Sequence, residues 1–167
     1  MSLQHELSLP NPFSHKAQEA MFNIVVTGTL LVKEGEKILR PFGLTDAQFN
    51  ILMLLKYQSD DGRINQTRLG EMLLVNRSNI TGLVDRMEKA SLVIRTSDLS
   101  DRRIKYIEMT DKGREILKKT HTMYHKRLDD VMSSLSDSES GSLCSILKTV
   151  RRRLNNRDEK PPRKHFL

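Results

Sequence analysis

The chain has 167 residues, of which 37% are hydrophobic and 29% are charged, and its formal net charge at neutral pH is +7. This balance is typical of a folded globular protein and unlike that of a disordered chain. The single cysteine excludes an intramolecular disulfide and a cysteine zinc cage, and no apolar run approaches the roughly 18 residues of a membrane span, so we expect a cytoplasmic protein without a membrane partner.

The first forty residues divide into a lead-in and a long helix. Residues 1–13 contain Pro10 and Pro12 and are predicted to be irregular. Residues 14–40 repeat apolar or small side chains at helical spacing, and Pro41 ends the pattern. A small domain cannot cover so long an apolar stripe, which indicates a dimerisation helix that meets a second copy of the chain.

Three shorter helices are predicted next. Thr45 and Gln48 have the spacing of a capping box and start the first of them. Asn65 can cap the second, and a turn at 74–76 leads into the third, over about residues 77–90. The apolar residues of the third recur at i, i+3, i+4 and i+7, at Ile80, Leu83, Val84 and Met87.

Residues 93–96 and 104–109 alternate like two paired strands and are joined by a charged loop. Thr110 can cap a helix running to about residue 134, and Ser136 with Glu139 forms the capping box of a last helix. Cys144 has apolar helical neighbours and is expected to be a buried core residue.

The two short helices and the strand pair together predict a winged helix-turn-helix that binds duplex DNA. The helix over 77–90 buries its apolar stripe and turns its other face toward the major groove, where base edges can be read. Asp85 and Lys89 also lie on the outward side. The residues of this helix that we expect to contact DNA are Arg77, Ser78, Asn79, Thr81, Gly82 and Arg86.

The tip of the strand pair is the second predicted contact. Arg102 and Arg103 lie there beside Asp98 and Asp101. An arginine on a thin hairpin can enter the minor groove, where the negative potential attracts it. The carboxylate of Asp101 can orient the guanidinium through a forked hydrogen bond.

These motifs together resemble the multiple antibiotic resistance regulator (MarR) family of bacterial transcription regulators over about residues 14–155. They are Leu44-Thr-x-x-Gln-Phe, Asn76 opening a helix that ends Leu83-Val-Asp-Arg-Met, Leu92-Val-x-Arg95, Asp101-Arg-Arg103 and Met109-Thr-Asp-Lys-Gly113. The resemblance implies a triangular dimer in which helices 14–40 and 111–155 interlock, with Asp101 orienting Arg103. It also implies a repressor that a small phenolic or other amphipathic ligand releases from DNA.

The sequence departs from the family pattern at two positions. Gly82 follows Thr81 where the family often has Arg or Pro, and Ser91 stands where glycine is usual. Glycine inside a helix costs about 1 kcal/mol relative to alanine. We therefore interpret Gly82 as allowing a close approach of the backbone to DNA.

The fold prediction is mainly α with a small β-wing, a winged helix-turn-helix flanked by N- and C-terminal dimerisation helices. Its segments are 1–13, a lead-in; 14–40, a dimerisation helix; 41–110, the DNA-binding domain; 111–156, two further dimerisation helices; and 157–167, a basic flexible tail. The expected partners are a palindromic operator in double-stranded DNA, a second copy of the chain and a small-molecule effector whose binding residues the sequence does not identify.

Other functions fit the sequence less well. His121 and His125 have the i, i+4 spacing of metal ligands but lack a nearby Glu or Cys, and no phosphate-binding loop or nucleophile elbow is present. We therefore expect no enzyme, catalytic residue, metal or cofactor. A winged helix that binds only protein would be favoured by loss of the wing arginines, which are present.

The positive charge alone does not locate a DNA-binding surface. Residues 148–164 contain eight basic and two acidic residues, and so account for six of the seven net positive charges. Such a run is most often a solvated end, although it can add phosphate contacts without sequence preference.

Overall fold

The structure, a computed structural model, describes residues 3–59, 61–74, 77–98 and 100–155. Helices dominate it, with one small sheet. In chain order the elements are α1 (Leu3–Glu6), α2 (Lys16–Leu39), a 3₁₀ turn (Arg40–Phe42), α3 (Asp46–Tyr57), β1 (Arg63–Asn65), α4 (Gln66–Met72), α5 (Arg77–Lys89), β2 (Val93–Ser97), β3 (Lys105–Met109), α6 (Asp111–Met132) and α7 (Asp137–Asn155).

The sheet is antiparallel with strand order β1-β3-β2. β2 and β3 form the predicted wing, with Val93 opposite Met109 and Ser97 opposite Lys105. β1 was not predicted, because three residues are too few to show alternation. Its central residue, Ile64, lies opposite Ile107, and both side chains are buried.

The hydrophobic core lies among α3, α4, α5 and the inner face of the sheet. Burying each such side chain stabilises the fold by about 1.5–3 kcal/mol relative to leaving it exposed. The core therefore fixes the position of α5 against the wing. Its most fully buried side chains are Leu39, Phe49, Ile51, Leu52, Leu69, Ile80, Val84, Met87, Val93, Ile107 and Leu117.

The predicted helix starts of α3 and α4 are confirmed. The backbone nitrogen of Thr45 lies 2.9 Å from Oε1 of Gln48, and the nitrogen of Gln48 lies 3.3 Å from Oγ1 of Thr45. Asn65 Oδ1 accepts hydrogen bonds from the amides of Thr67 and Arg68 at the start of α4. These side chains satisfy helix amides that have no intrahelical acceptor.

The start of α6 is closely packed against the end of α5. A Cβ at Gly113 would lie 2.2 Å from the carbonyl oxygen of Leu92, so only glycine fits there. Thr110 Oγ1 donates to the carbonyl of Ser91 at 2.7 Å, and Lys112 Nζ donates to the carbonyl of Ala90 at 2.8 Å. Ser91 itself has φ 56°, the left-handed conformation that explains why glycine is expected at this position.

A polar cluster joins α2, α3 and α6. Asn50 Nδ2 donates to Oδ2 of Asp46 at 2.9 Å, and the hydroxyl of Tyr124 donates to its Oδ1 at 3.5 Å. Burial raises the pKa of Asp46, although these two hydrogen bonds oppose the change. Burial, followed by the charge of Asp46, raises the pKa of Tyr124. Gly35 lies directly against them, since a Cβ there would come within 3.0 Å of the Tyr124 ring.

The chain divides into two compact units, residues up to Tyr124 and residues from His125 onward. The first unit holds α2 together with the winged helix-turn-helix and the first part of α6. The second holds the rest of α6 and α7. These boundaries differ from the predicted segments, which separate residues 14–40 from the DNA-binding domain and begin the C-terminal helices at residue 111.

Two expectations about the terminal segments were wrong. The lead-in is not wholly irregular, because it contains α1, whose Leu3 is buried. Cys144 is exposed, because α7 buries none of its residues within the chain. Asn76 and the basic tail 157–167 lie outside the described residues. Among the described helices, none combines the length and hydrophobicity needed to cross a membrane.

Candidate nucleic-acid interface

The two faces of α5 are separated as the sequence predicts. Ile80, Leu83, Val84 and Met87 are all buried, with Met87 at 0% exposure and Leu83 at 7%. Since the apolar stripe holds the helix against the core, the opposite face is available to a ligand. The residues on that face that are exposed are Ser78, Asn79, Thr81, Arg86 and Lys89.

Arg77 and Gly82 differ from the other expected contact residues on α5. Arg77 is the first residue of α5, and its side chain lies outside the described part of the structure. Gly82 is partly exposed, and a Cβ there would meet only Nη1 of Arg86, at 3.6 Å. Internal packing therefore does not require a glycine at this position, and its backbone faces open space.

Asp85 was expected to face outward, and it is in fact engaged within the domain. Its Oδ1 lies 2.8 Å from Nη2 of Arg95 on β2, while its side chain remains 47% exposed. Arg95 also pairs with Glu88, one turn further along α5. Asp85 therefore ties α5 to the wing, and its charge is partly neutralised before any ligand arrives.

The loop of the wing is shaped by a carboxylate at its start. Oδ1 of Asp98 accepts hydrogen bonds from the amides of Ser100 and Asp101, at 2.8 and 3.2 Å, and from the hydroxyl of Ser100. These bonds, the hydroxyl first, lower the pKa of Asp98. The amide of Ile104 closes the turn by donating to the carbonyl of Asp101 at 2.9 Å.

Arg102 and Arg103 are exposed at the tip of this loop, as predicted. The geometry between Asp101 and Arg103 differs from the expected fork. Asp101 Oδ1 accepts from the backbone amide of Arg103 at 2.9 Å, and in the described wing no ion pair joins the two side chains. Asp101 therefore fixes the backbone from which Arg103 projects, because a turn amide lies closer to it than the flexible guanidinium.

A cleft of about 310 Å³ lies between the wing and the two short helices. Arg103 and Lys105 line it from the wing, Gln66 and Thr67 from α4, and Ile80 from α5. Since Ile80 belongs to the buried stripe of α5, the cleft reaches the core side of this helix and opens beside Arg103 of the wing.

Sequence reasoning missed two residues of this surface, Arg95 and Gln66. Nε of Arg95 donates to Oε1 of Gln66 at 2.9 Å, and Nε2 of Gln66 donates to Oγ1 of Thr81 at 3.0 Å. A signal for Arg95 was present, because Asp85 and Glu88 lie three residues apart on one side of a helix that precedes a strand containing an arginine. No such signal marks Gln66.

Comparison with known proteins identifies the family that the chain resembles. The MarR family model matches residues 44–105, which run from the start of α3 to the first residue of β3. The regulator MhqR of Bacillus subtilis is 31% identical over 114 residues, which are 68% of this chain and 77% of that protein. The transcriptional repressor MprA of Escherichia coli K12 is 28% identical over 129 residues, 77% of this chain and 73% of that protein.

Solved structures extend the likeness to most of the chain. AbsC of Streptomyces coelicolor, a MarR family regulator, superposes with a TM-score of 0.79 at 25% identity, covering 88% of this chain and 100% of that one. Sco3205 of the same organism, solved in complex with DNA, has a TM-score of 0.77 at 26% identity over 87% and 92% of the two chains. CouR of Rhodococcus jostii RHA1, bound to p-coumaroyl-CoA, has a TM-score of 0.71 at 25% identity over 83% and 95%.

Proposed function

The chain belongs to the MarR family of DNA-binding transcription regulators, which are not enzymes, and from that premise we propose that it is a repressor. It acts in the cytoplasm as a homodimer on a palindromic operator, and a small aromatic or amphipathic ligand releases it. The separation of the two faces of α5 is the observation that carries the proposal. One face is buried in the core, and the other carries polar side chains and a glycine without packing constraint.

The exposed face of α5 enters the major groove. Ser78, Thr81 and Arg86 face the base edges, and Gly82 lets the helix backbone come close to them. Arg77 and Asn79 flank this face and contact phosphates or bases. Hydroxyl and guanidinium groups are suited to these roles, because the major groove offers acceptors that differ between base pairs.

The wing supplies the second contact, in the minor groove. Arg103, with Arg102 beside it, is exposed at the tip, and the turn that presents it is held by Asp98 and Asp101. A preorganised turn loses little conformational freedom on binding, so the attraction of the narrow groove for arginine is retained.

Dimerisation is supported by apolar surface that the single chain leaves uncovered. On α2, Val25 is 61% exposed and Met21 is 56% exposed; on α7, Leu154 is 67% exposed and Ile146 is 61% exposed. Monomeric soluble proteins rarely expose so many large apolar side chains on long helices. A two-fold dimer of this kind presents two copies of α5 to half-sites about one helical turn apart, which requires a palindromic operator.

An effector site is supported by an apolar groove between α3 and α4. It has a volume of about 510 Å³, and Met53, Leu54, Tyr57, Met72 and Leu73 are among its lining residues. At its edge the hydroxyl of Tyr57 lies 2.8 Å from Nε2 of His121. An aromatic ligand can pack on the apolar side chains and hydrogen-bond to this polar pair. MprA is named a repressor and CouR was solved with an aromatic thioester, which agrees with both parts of the proposal.

One series of measurements tests the proposed function. The full chain is titrated onto the promoter region of its own gene, and protection is mapped by footprinting. Two protected half-sites of related sequence are expected, together with sedimentation as a dimer at micromolar concentration. Aromatic acids that raise the melting temperature should release the DNA. A folded monomer, or DNA binding without any protected sequence, would refute the proposal.

A further inference from the structure

Arg95 on β2 is held by three side chains at once. Its Nη2 lies 2.8 Å from Asp85, its Nη1 lies 2.9 Å from Glu88, and its Nε lies 2.9 Å from Oε1 of Gln66. The backbone amide of Arg95 also donates to Oε1 of Glu88, at 2.9 Å. The guanidinium is planar and presents its donors in a fixed fork. Arg95 therefore holds β2, α5 and the first residue of α4 in one arrangement.

This arrangement decides which way the amide of Gln66 points. The guanidinium can only donate, so the group of Gln66 that faces Arg95 must be the carbonyl oxygen. The NH₂ group then faces the other side, where its nitrogen lies 3.0 Å from Oγ1 of Thr81. An inverted amide would bring two donors together at Arg95.

The contact with Gln66 in turn restricts the side chain of Thr81. A threonine in a helix divides between two rotamers, because its hydroxyl can reach the backbone of the preceding turn. The hydrogen bond from Gln66 favours the rotamer in which Oγ1 points toward α4. Since Thr81 is exposed on the outward face of α5, this also fixes where its methyl group points.

We propose that Gln66 is a positioning residue for DNA specificity, which holds Thr81 in one rotamer and is itself oriented by Arg95. The inference rests on the proposed function, in which Thr81 faces the base edges. A threonine with a fixed rotamer presents a hydroxyl and a methyl group in defined places, so it discriminates between bases that differ in an acceptor or a methyl group there. A threonine that alternates between two rotamers presents these groups in two sets of places, so it discriminates less well between bases.

Two substitutions of Gln66 separate the parts of this contact. Gln66→Glu keeps the size and the acceptor for Arg95 and replaces the donor facing Thr81 by an acceptor, to which the Thr81 hydroxyl can donate instead. Gln66→Met removes both and adds no charge. Thr81→Val removes the acceptor with almost no change of shape. Gln58→Glu makes the same change of charge at an exposed residue that caps the end of α3, and is the matched control.

The test is a selection of duplexes from a library with about twenty randomised base pairs, roughly two half-sites one helical turn apart. Each variant is used as the full chain, and the base preference at every position is compared with that of the wild type. Melting temperature and affinity for an unselected duplex are measured beside it. The melting temperature and the affinity for the unselected duplex detect a purely structural effect, which would weaken binding to all sequences alike.

We expect Gln66→Met to reduce the preference about fivefold at the one position in each half-site that Thr81→Val also alters, which is the value of one hydrogen bond of ordinary strength. Gln66→Glu should reduce this preference less, because the Thr81 hydroxyl can donate to the carboxylate. Adding Gln66→Met to Thr81→Val should change that position no further, and Gln58→Glu should leave the whole profile unchanged. If Gln66→Glu fails to fold, Gln66→Met alone decides.

Three outcomes overturn the inference, and they are distinguishable. If the wild type selects a sequence and both Gln66 variants keep its full preference at the position sensitive to Thr81, Gln66 does not position Thr81. If the wild type selects no sequence at all, the proposed function fails and the inference fails with it. If the Gln66 variants lose base preference equally at every position and also have a lower melting temperature, the role of Gln66 is structural only. This result also overturns the inference.

Discussion

Asp101 accepts a hydrogen bond from the backbone amide of Arg103, with 2.9 Å between Oδ1 and the nitrogen. The bond spans two residues of the wing loop and fixes the point at which the Arg103 side chain leaves the ribbon. The bond does not constrain the direction of the Arg103 guanidinium at the exposed tip. The two residues therefore have different roles, and their substitutions should have different effects.

Arg103→Ala should weaken binding to the operator by about 1–3 kcal/mol, the value of one good groove contact. The physical reason is loss of a cation from the minor groove, where the potential is most negative. A fluorescence titration of a labelled operator at fixed salt measures the effect. Arg114→Ala is the control, because Arg114 is an exposed arginine on α6. Unchanged affinity for Arg103→Ala would exclude the role in the minor groove.

Asp101→Ala should weaken operator binding by less than Arg103→Ala, because it loosens the turn without removing the contact. Asp101→Asn keeps an acceptor oxygen for the amide of Arg103 and should bind nearly as well as the wild type. The effects of Asp101→Ala and Arg103→Ala should not add, since the first acts only through the position of the second side chain. A double-mutant cycle measures this coupling, and full additivity contradicts it.

The two faces of α5 predict opposite results for two truncations. Arg86→Ala removes an exposed side chain and should weaken operator binding while leaving the melting temperature within about 1 °C. Ile80→Ala opens a cavity at a residue that is 1% exposed, and should reduce the free energy of unfolding by about 2–5 kcal/mol. Urea unfolding and DNA titration of both variants give the comparison. If Arg86→Ala lowers stability without weakening operator binding, and Ile80→Ala does the reverse, the two faces of α5 are wrongly assigned.

Gly82→Ala tests the interpretation of a glycine in the middle of α5. Among the described residues, and apart from its own helix backbone, the added Cβ meets nothing closer than Nη1 of Arg86 at 3.6 Å, so the variant should be more stable by about 1 kcal/mol. Affinity for the operator should nevertheless fall, because the methyl group occupies the space between the helix and the bases. Increased stability with undiminished affinity would show that DNA does not approach the backbone at this residue.

Asp46→Asn should change how stability depends on pH. The pKa of Asp46 is raised by burial above its usual 3.8, so the folded state binds the proton more tightly than the unfolded state. Protonation therefore stabilises the fold, and this contribution is lost as pH rises from 3.8 through the folded pKa. Relative to the wild type, Asp46→Asn should gain stability across that window. Urea unfolding between about pH 3 and pH 7 measures it, and an opposite slope would contradict the assignment.

The fold was predictable from the sequence wherever a local signal sets it. The capping box at Thr45 and the four-residue stripe that begins at Ile80 both depend on spacing along one segment, and both are confirmed. β1 gave no such signal, because its pairing with β3 joins residues more than forty positions apart. Cys144 was misplaced because the apolar neighbours that suggested a core lie on a helix that the single chain leaves exposed.

The candidate site was predictable only in part, for the same reason. The charged tip of the wing and the outward face of α5 follow from periodicity. The network around Arg95 does not, since Gln66 lies on α4 whereas Thr81 and Asp85 lie on α5, and these helices meet β2 only in the folded chain. The role expected for Asp101 depended on side-chain geometry in a loop, which spacing alone does not define.

The packing of α6 against the end of α5 has a mechanical consequence. Gly113 leaves no gap against the carbonyl of Leu92, while Thr110 and Lys112 bond to the two carbonyls just before it. Because these contacts leave no space between the first turn of α6 and residues 90–92, neither segment can move without the other. If the first turn of α6 tilts, it must drag the C-terminal end of α5 with it, and the base of β2 follows. The wing and α5 then move together as one rigid body, and Gly113 lies at the point of contact with α6.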